Sequence, residues 1–325
     1  MKKYLIIQTA FIGDVILATP LVEKILSREP DARIDMLVRR GNEGLLKDHP
    51  GLNRLLVLDK SSDKWRNVVA MIRQIRQTRY DELINLQRFW TTGVISLLAR
   101  ARRKTGFDKN PLSLFYHRKV KHTIGDGTHE IERNLQLLDG IMDSSFVRPA
   151  LYPGEDHYQA VAPWQEGSYV CIAPASVWYT KQFLPEKWVD LINRLPGDQK
   201  VYLVGGPSDG EMCEDILSRV KRGQVYNIAG RLSFLETAAL MEKATMNYVN
   251  DSAPLHIASA MNAPVRAVFC STVPRFGFYP VSDDARSIEI TYPLYCRPCG
   301  LHGFKSCPEG HFRCARDIDI QQLLT

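Results

Sequence analysis

The sequence predicts an α/β protein made of two consecutive units, each with a parallel sheet covered by helices on both faces. Short apolar segments alternate with amphipathic segments along most of the chain, the order expected when helices connect parallel strands. The alternation stops at a stretch bearing proline and glycine, residues 149–155, and restarts beyond it. A chain of 325 residues also exceeds the size of one typical core. We therefore expect an N-terminal domain at 1–153 and a C-terminal domain at 154–325, with a cleft between them.

In the first half, strands are predicted where a short run of Ile, Leu, Val or Tyr is bounded by turn residues. These strands are Lys3–Gln8, Ala32–Val38, Asn53–Asp59 and Tyr80–Leu86. Apolar residues at helical spacing predict the helices Val15–Ser27, Ser61–Gln77, Thr92–Ala101 and Thr128–Met142.

The second half repeats the pattern. Its predicted strands are Ser168–Ala173, Val201–Val204, Gln224–Ile228, Met246–Asn250 and Pro264–Cys270. Its predicted helices are Pro185–Arg194, Ser208–Val220, Ser233–Lys243, one that begins near Asp251, and Asp317–Leu324. Ser233 is a suitable N-cap for the third of these helices.

The composition is that of an ordinary soluble globular protein, with 45% apolar and 24% charged residues. No apolar run approaches the length that spans a bilayer, and the apolar segment near the N-terminus is too short for a signal peptide. We expect a cytoplasmic protein.

Positive charge is concentrated in the first half. Residues 1–150 hold 26 Lys and Arg against 17 Asp and Glu, whereas the remainder holds 16 against 19. Such a half favours an anionic partner, which can be a phosphorylated substrate, an acidic membrane surface or nucleic acid. Solvated basic faces without a partner are the alternative.

Three loops follow predicted strands and enter predicted helices, at Thr9–Asp14, Pro174–Lys181 and Asn250–His256. Ligands bind at such carboxyl strand ends in α/β sheets. The third loop joins an acid, a hydroxyl and an imidazole to a helix N-terminus, which attracts phosphate, although an ordinary capped helix has the same pattern. Neither a GxGxxG nor a GxxxxGK[ST] motif is present, which argues against a dinucleotide oxidoreductase and a P-loop enzyme.

Four segments, in order along the chain, resemble glycosyltransferase family 9, the heptosyltransferases that build the inner core of lipopolysaccharide. Ile7–Ile16 resembles the N-terminal signature of the family. Residues 181–188, KQFLPEKW, are similar to its K-x-W-P-x-x-x-W segment, with Phe183-Leu184 in place of Trp-Pro. Residues 250–258, NDSAPLHIA, resemble its D-[ST]-[GA]-x-x-H-x-A motif, and residues 229–236 resemble the segment before it.

This resemblance implies a GT-B fold, in which two Rossmann-like doubly wound domains face a cleft. The C-terminal domain would bind a nucleotide-diphosphate sugar, typically ADP-heptose, and the final helix would pack back on the N-terminal domain. The N-terminal domain would bind an anionic glycolipid acceptor, a lipopolysaccharide core or related surface glycan, with peripheral association at the inner membrane face. No cofactor would be required for catalysis.

The residue roles follow from the same resemblance. Asp14 would be the catalytic base, in an acceptor loop with Thr9 and Gly13. The donor contacts would be Ser176, Lys181, Asp251, Ser252, Ala253 and His256. A lysine and a helix N-terminus can neutralise a leaving diphosphate without a metal, and a single displacement by an acceptor hydroxyl inverts the anomeric centre.

The last 30 residues contain four of the seven cysteines, Cys296, Cys299, Cys307 and Cys314. In a cytoplasmic protein such a cluster is typical of a metal site or of reduced thiols rather than of disulfides. Four thiolates can form a structural zinc site, and free thiols or an iron–sulfur cluster are the alternatives.

Two other functions fit parts of the sequence. A sugar-nucleotide epimerase with a similar fold would use the same donor domain without an acceptor. A nucleic-acid-binding protein would use the basic half and the cysteine-rich tail, but no RNA-binding signature supports it, and we expect no nucleic-acid partner. The exact sugar, acceptor and oligomeric state stay open.

Overall fold

The structure is a computed structural model, and it describes residues 1–61 and 63–325. The chain divides into two compact units. The first comprises Met1–Ile124 and Thr128–Tyr152, and the second comprises Gly125–Gly127 and Pro153–Thr325.

The first unit is built on a six-stranded parallel sheet in the order β3-β2-β1-β4-β5-β6. Its strands are β1 (Lys3–Ile7), β2 (Arg33–Arg39), β3 (Leu52–Leu58), β4 (Tyr80–Asn85), β5 (Ala101–Phe107) and β6 (Arg118–Val120). Its helices are α1 (Ile12–Ile16), α2 (Thr19–Arg28), α3 (Lys64–Ile75), α4 (Trp90–Leu98) and α5 (Glu130–Leu135). The strand order changes direction at β1, so the loops after β1 and β4 lie at the switch point where such sheets bind ligands.

The second unit repeats this arrangement, with the strand order β12-β11-β10-β7-β8-β9 and parallel pairing throughout the described residues. Its strands are β7 (Tyr169–Ala173), β8 (Lys200–Leu203), β9 (Val225–Asn227), β10 (Met246–Asn250), β11 (Val265–Val268) and β12 (Ala285–Ile288). Its helices are α6 (Glu155–Val161), α7 (Pro185–Arg194), α8 (Gly210–Arg219), α9 (Phe234–Glu242), α10 (Ala253–Ala260), α11 (Arg313–Arg316) and α12 (Gln321–Leu324). Two doubly wound, Rossmann-like units confirm the predicted fold class.

The first predicted helix, Val15–Ser27, is two helices in the structure. Pro20 lies in the first turn of α2, where it has no amide hydrogen to donate to the carbonyl of Ile16. The Thr19 hydroxyl donates to that carbonyl instead, over 2.8 Å. The break therefore follows from one proline and one capping hydroxyl.

Several other boundaries differ from the prediction. The predicted helix Thr92–Ala101 ends at Leu98, and the basic residues after it form β5, where Arg103 Nε lies 2.7 Å from Glu82 on β4. The predicted helix Thr128–Met142 is shortened to α5 and a 3-10 turn. β6, β12 and α6 were not predicted at all. The predicted helix Ser61–Gln77 begins at Lys64, and its residue Ser62 lies outside the described residues.

The cysteine-rich tail belongs to the core of the second unit. Phe312, Cys314, Ile318 and Leu323 are buried with core side chains of β7 and α7. Leu323 of the final helix α12 is among these buried residues, whereas Leu324 is exposed, and packing of this helix on the N-terminal domain stays a prediction.

Among the described residues, no helix combines the length and the apolar character needed to cross a membrane.

A buried carboxylate lies near the starts of the strands of the first sheet, at the edge opposite the switch-point loops. Asp35 on β2 accepts hydrogen bonds from Arg54 (2.6 Å), Tyr80 (2.6 Å) and Asn53 (2.8 Å). Burial alone would raise the pKa of Asp35, but the Arg54, Tyr80 and Asn53 hydrogen bonds lower it overall. The carboxylate therefore ties the starts of β2, β3 and β4 together.

We expect Arg54→Met to lower the free energy of unfolding by about 1–3 kcal/mol at pH 7, because it leaves a buried carboxylate without its cation. The Asp35 pKa is lower in the folded state than in the unfolded state. The stabilisation is therefore present above the unfolded pKa of about 4 and is lost as the pH falls through the folded pKa. Urea unfolding between pH 3 and 7 measures it. Arg33→Met, at the exposed start of β2, the strand that carries Asp35, is the control. An effect of Arg54→Met that does not change with pH would contradict this account.

Candidate active site

The loop after β1 is fixed by side chains from three neighbouring strand ends. Lys60 donates to the carbonyl (3.0 Å) and the hydroxyl (2.9 Å) of Thr9, which is almost fully buried. Asn42 donates to the carbonyl of Ala10 over 2.8 Å, and Gln87 hydrogen-bonds to Gln8. The predicted acceptor loop is thus a rigid element at the carboxyl edge of the first sheet.

Asp14 lies in the first turn of α1, directly after Gly13. Its Oδ2 accepts a hydrogen bond from the amide of Phe11 over 3.2 Å, which orients the carboxylate on the loop. The side chain is partly exposed, so a substrate hydroxyl can approach it. A general base must come within hydrogen-bonding distance of the proton that it takes, and Asp14 stays the predicted base.

Lys60 was not identified from the sequence. Burial, together with the nearby Arg39 and Lys64, lowers its pKa to about 8. Its place at the carboxyl end of a predicted strand was the available signal, but a single lysine in a loop is not enough to identify a site residue.

Four exposed aromatic side chains mark the same edge of the first sheet, and we call them the aromatic rim: Phe11, Trp65, Phe89 and Trp90. They lie at or next to the starts of the helices that follow β1, β3 and β4. A cationic group lies over three of the rings: Arg39 over Phe11 at 4.8 Å, Lys64 over Trp65 at 5.6 Å and Arg88 over Phe89 at 5.5 Å. The edge therefore combines exposed apolar surface with positive charge.

In the second unit, Asn250 at the end of β10 connects two of the predicted loops. Its side chain donates to the carbonyl of Pro174 over 2.5 Å and accepts from the amide of Phe183 over 2.9 Å. Phe183 is buried and packs edge-on against Trp188, with ring centroids 5.1 Å apart. The phenylalanine at this position, where the family segment has tryptophan, therefore still fills an aromatic core site.

Lys181 and Asp251 form the central contact of the second unit. Lys181 Nζ lies 2.7 Å from Asp251 Oδ2, and the two side chains are 16% and 8% exposed. The hydroxyl of Thr272 donates to the same oxygen over 2.6 Å. Two predicted site residues, 70 positions apart in the sequence, are therefore brought together, and Thr272 is added to them.

The other predicted donor contacts lie around this pair. Ser252 is the N-cap of α10, and its hydroxyl lies 3.4 Å from the carbonyl of Ala175. Ala253 begins the helix, and His256 is buried within its first turns. Ser176 is partly exposed on the adjacent loop, where its carbonyl accepts from Gln182 over 2.7 Å. The first-turn amides of α10 thus lie next to a lysine, the arrangement that suits a diphosphate.

The zinc site at the four tail thiols stays a prediction. Within residues 1–61 and 63–325, no group of three or more His, Cys, Asp or Glu side chains is arranged to hold a metal ion. The Cys299 thiol donates to the carbonyl of Cys296 over 3.2 Å, and Cys314 lies in the hydrophobic core. Burial raises the pKa of Cys314 to about 12, which favours the thiol form. The nearby Cys299, Cys307 and Cys296 also raise the pKa of Cys314, which shows that the four cysteines lie near one another.

Comparison with known proteins identifies the family. The profile of glycosyltransferase family 9 (heptosyltransferase) matches residues 68–301. The chain belongs to glycosyltransferase family 9. It is therefore a glycosyltransferase, as the resemblance of its motifs predicted.

One relative agrees with this assignment, and two solved structures share the fold. Lipopolysaccharide heptosyltransferase 3 of Escherichia coli K12 is 30% identical over 284 residues, which cover 80% of each chain. E. coli ADP-heptose lipopolysaccharide heptosyltransferase II has a TM-score of 0.79 at 18% identity and covers 100% of both chains. E. coli WaaC with ADP-2-deoxy-2-fluoro heptose has a TM-score of 0.72 at 20% identity, covering 99% of this chain and 98% of that one. The two structures share the fold of this family member.

Thr272 and Asn250 were missed as site residues for different reasons. Thr272 follows a predicted strand, and ligands bind at such strand ends in α/β sheets. Serine and threonine are common at such positions, however, so the residue type did not identify Thr272. Asn250 was predicted to be the last residue of a strand, and the local sequence does not indicate its two hydrogen bonds to another loop.

We expect Lys181→Ala to lower the free energy of unfolding by about 3 kcal/mol, because it leaves the buried Asp251 carboxylate without its cation. The double variant Lys181→Met/Asp251→Asn should recover part of this loss, since no buried charge remains. Urea unfolding of the single and double variants measures both effects.

Arg194→Ala is the matched control, because its partner Asp190 forms an exposed pair in the same unit, worth about 0.5 kcal/mol. Equal losses in the Lys181 and Arg194 variants would contradict the central role of the buried pair.

Proposed function

We propose that this glycosyltransferase transfers a heptose from an ADP-heptose-type donor to a lipopolysaccharide core or related surface-glycan acceptor, with inversion at the anomeric carbon. The observation that carries the proposal is the Lys181–Asp251–Thr272 contact beside the N-terminus of α10. The names of the similar proteins support the choice of heptose and of lipopolysaccharide.

The second unit supplies what a nucleotide-diphosphate sugar needs. Lysine has three N–H donors, so Lys181 can bind a phosphate oxygen while it keeps its contact with Asp251. The Lys181 and Thr272 contacts of the Asp251 carboxylate both use Oδ2, which leaves Oδ1 to accept a hydrogen bond from a sugar hydroxyl. The first-turn amides of α10 and the Ser176 hydroxyl add donors for the diphosphate.

The first unit is suited to an anionic glycolipid acceptor. The cations Arg39, Lys60, Lys64 and Arg88 lie around the predicted acceptor loop, and carboxylates or phosphates on the acceptor would balance their charge. Sugar rings and lipid chains can pack on the exposed aromatic rim.

The reaction is a single displacement. The acceptor hydroxyl oxygen bonds to the anomeric carbon while the bond from that carbon to the diphosphate oxygen breaks, and its electron pair leaves with ADP. The hydroxyl proton passes to Asp14. Lys181 and the N-terminus of α10 stabilise the negative charge that develops on the diphosphate. None of these steps uses a cofactor.

An acceptor-dependent assay tests the function. Purified protein with ADP-heptose and a lipopolysaccharide core acceptor should release ADP only when both substrates are present, and NMR of the product should show the inverted anomeric configuration. Conversion of the nucleotide sugar without acceptor would instead indicate an epimerase.

We expect Asp14→Asn to reduce the rate of transfer by about 10²–10⁴-fold, because a positioned general base contributes that much. Asparagine retains an oxygen that can accept the Phe11 amide, so folding and ADP affinity should stay close to wild type. Steady-state kinetics and calorimetric ADP binding measure the two effects. The control is Asp31→Asn, an exposed acid before β2. Near-normal turnover of the Asp14 variant would remove it from the mechanism.

We also propose that the protein is cytoplasmic and associates with the inner membrane face through the aromatic rim and its cations. The double variant Phe89→Ala/Trp90→Ala should then bind vesicles of phosphatidylglycerol and phosphatidylethanolamine on the order of tenfold more weakly, since two apolar rings are lost. Sedimentation with vesicles measures the partition.

Leu98→Ser is the matched control, because Leu98 is an exposed apolar side chain at the far end of the same helix. Binding to vesicles without anionic lipid, or binding unaffected by salt, would exclude the electrostatic part of the proposal.

A further inference from the structure

The cysteine-rich tail contacts the loops that carry the donor residues. We define the tail brace as residues 297–304. The amide of Thr180 donates to the carbonyl of Phe304 over 3.1 Å, and the amide of Phe304 donates to the Thr180 hydroxyl over 2.8 Å. Thr180 is almost fully buried and directly precedes Lys181. The brace therefore makes two hydrogen bonds to Thr180, the residue that precedes the donor lysine in the chain.

Gly303 is the point of closest approach. Its φ is +78°, and a Cβ built on it would lie 2.8 Å from Thr180 Oγ1, 3.2 Å from Lys181 Cγ and 3.2 Å from Ser271 Oγ. Any side chain here would push against the stem of Lys181. Only glycine allows this contact.

Arg297 holds the other side of the donor cluster. Its guanidinium donates to the carbonyls of Cys270 (2.7 Å), Thr272 (2.7 Å) and Phe269 (3.1 Å) and pairs with Glu289 at 2.7 Å. The carbonyl of Thr272 is thereby fixed, and its hydroxyl is the one that reaches Asp251. Five donors in a planar fork make arginine suited to such a set of acceptors.

These contacts form a closed ring. Lys181 contacts Asp251, Asp251 contacts Thr272, Thr272 is held by Arg297, and the brace returns from Arg297 to Gly303 against Lys181. We infer that Arg297, Gly303 and Phe304 of the brace, together with Thr180, are positioning residues that hold Lys181 and Thr272 for the donor diphosphate. This inference rests on the proposed donor site. The tail would thereby take part in donor binding, a role that its cysteine pattern did not predict.

The chain offers a matched pair of substitutions to test it. Gly303→Ala and Gly300→Ala both place alanine at a positive φ, which is +78° at residue 303 and +76° at residue 300. In contrast to residue 303, nothing lies within 4 Å of a Cβ at residue 300. The backbone strain is therefore similar, and only the first change contacts the donor loop. We expect Gly303→Ala to weaken ADP binding about tenfold, which corresponds to about 1.4 kcal/mol, and Gly300→Ala to change it less than twofold.

Kinetics add a second readout. Gly303→Ala should raise the donor KM and leave the acceptor KM unchanged, because Gly303 lies against Thr180 and the stem of Lys181. Equal weakening by both alanine variants, or wild-type ADP affinity in Gly303→Ala, would overturn the inference.

A second pair covers the case in which Gly303→Ala does not fold. Thr180→Val removes the hydroxyl that accepts the Phe304 amide, whereas Thr180→Ser keeps it. ADP affinity should fall in the valine variant and stay near wild type in the serine variant. Equal affinities in the two variants would contradict the positioning role.

Hydrogen–deuterium exchange separates the failure of this inference from the failure of the proposed function. Amides in residues 178–183 should exchange faster in Gly303→Ala than in wild type. Their exchange rates should be the same as in wild type in Gly300→Ala. Saturating ADP should slow exchange at Phe304, because coupling between two sites is reciprocal. If the wild-type protein binds neither ADP nor ADP-heptose, the donor proposal is overturned, while the exchange result still decides whether the brace holds the loop of Lys181.

Discussion

The second unit depends on one buried ion pair, Lys181 with Asp251. A lysine and a carboxylate that are both mostly buried are stable only when they neutralise each other and their remaining hydrogen bonds are made. Thr272 supplies one of those bonds, and the loops that carry all three residues are in turn fixed by Asn250 and Arg297. The pair therefore makes the positions of three separate strand ends interdependent, which is the condition for a preorganised site.

The first unit uses the same principle with different chemistry. Its loop after β1 is held by Lys60, Asn42 and Gln87, which come from the ends of three other strands. The backbone of the loop is immobilised by these contacts, while Asp14 and the aromatic rim stay accessible at its edge. A rigid loop with exposed functional groups suits an enzyme of glycosyltransferase family 9, whose acceptor hydroxyl must be presented at one distance and angle.

The cysteine-rich tail contributes to the core of the second unit as well as supplying candidate metal ligands. Cys299 donates to a carbonyl, Cys296 lies 3.9 Å from His311, and Cys314 lies in the apolar core. The tail contributes buried side chains to the second unit and contacts the donor loops through Arg297, Gly303 and Phe304. Cys314 behaves as a small hydrophobic residue, which is common for buried thiols.

The sequence by itself determined the two α/β units, the family and the loops that carry the site, because each rests on local pattern. Alternating apolar periods define strands and helices, and the NDSAPLHIA segment is continuous in the chain. Only the tertiary structure decided which residues meet. Lys181 and Asp251 are 70 positions apart, and Gly303 reaches Thr180 across 123. No spacing rule connects such positions, since their contact depends on strand order and on the exact path of the tail. The strand formed by the basic residues after α4 has the same cause, because its pairing with β4 overrode what the local composition favoured.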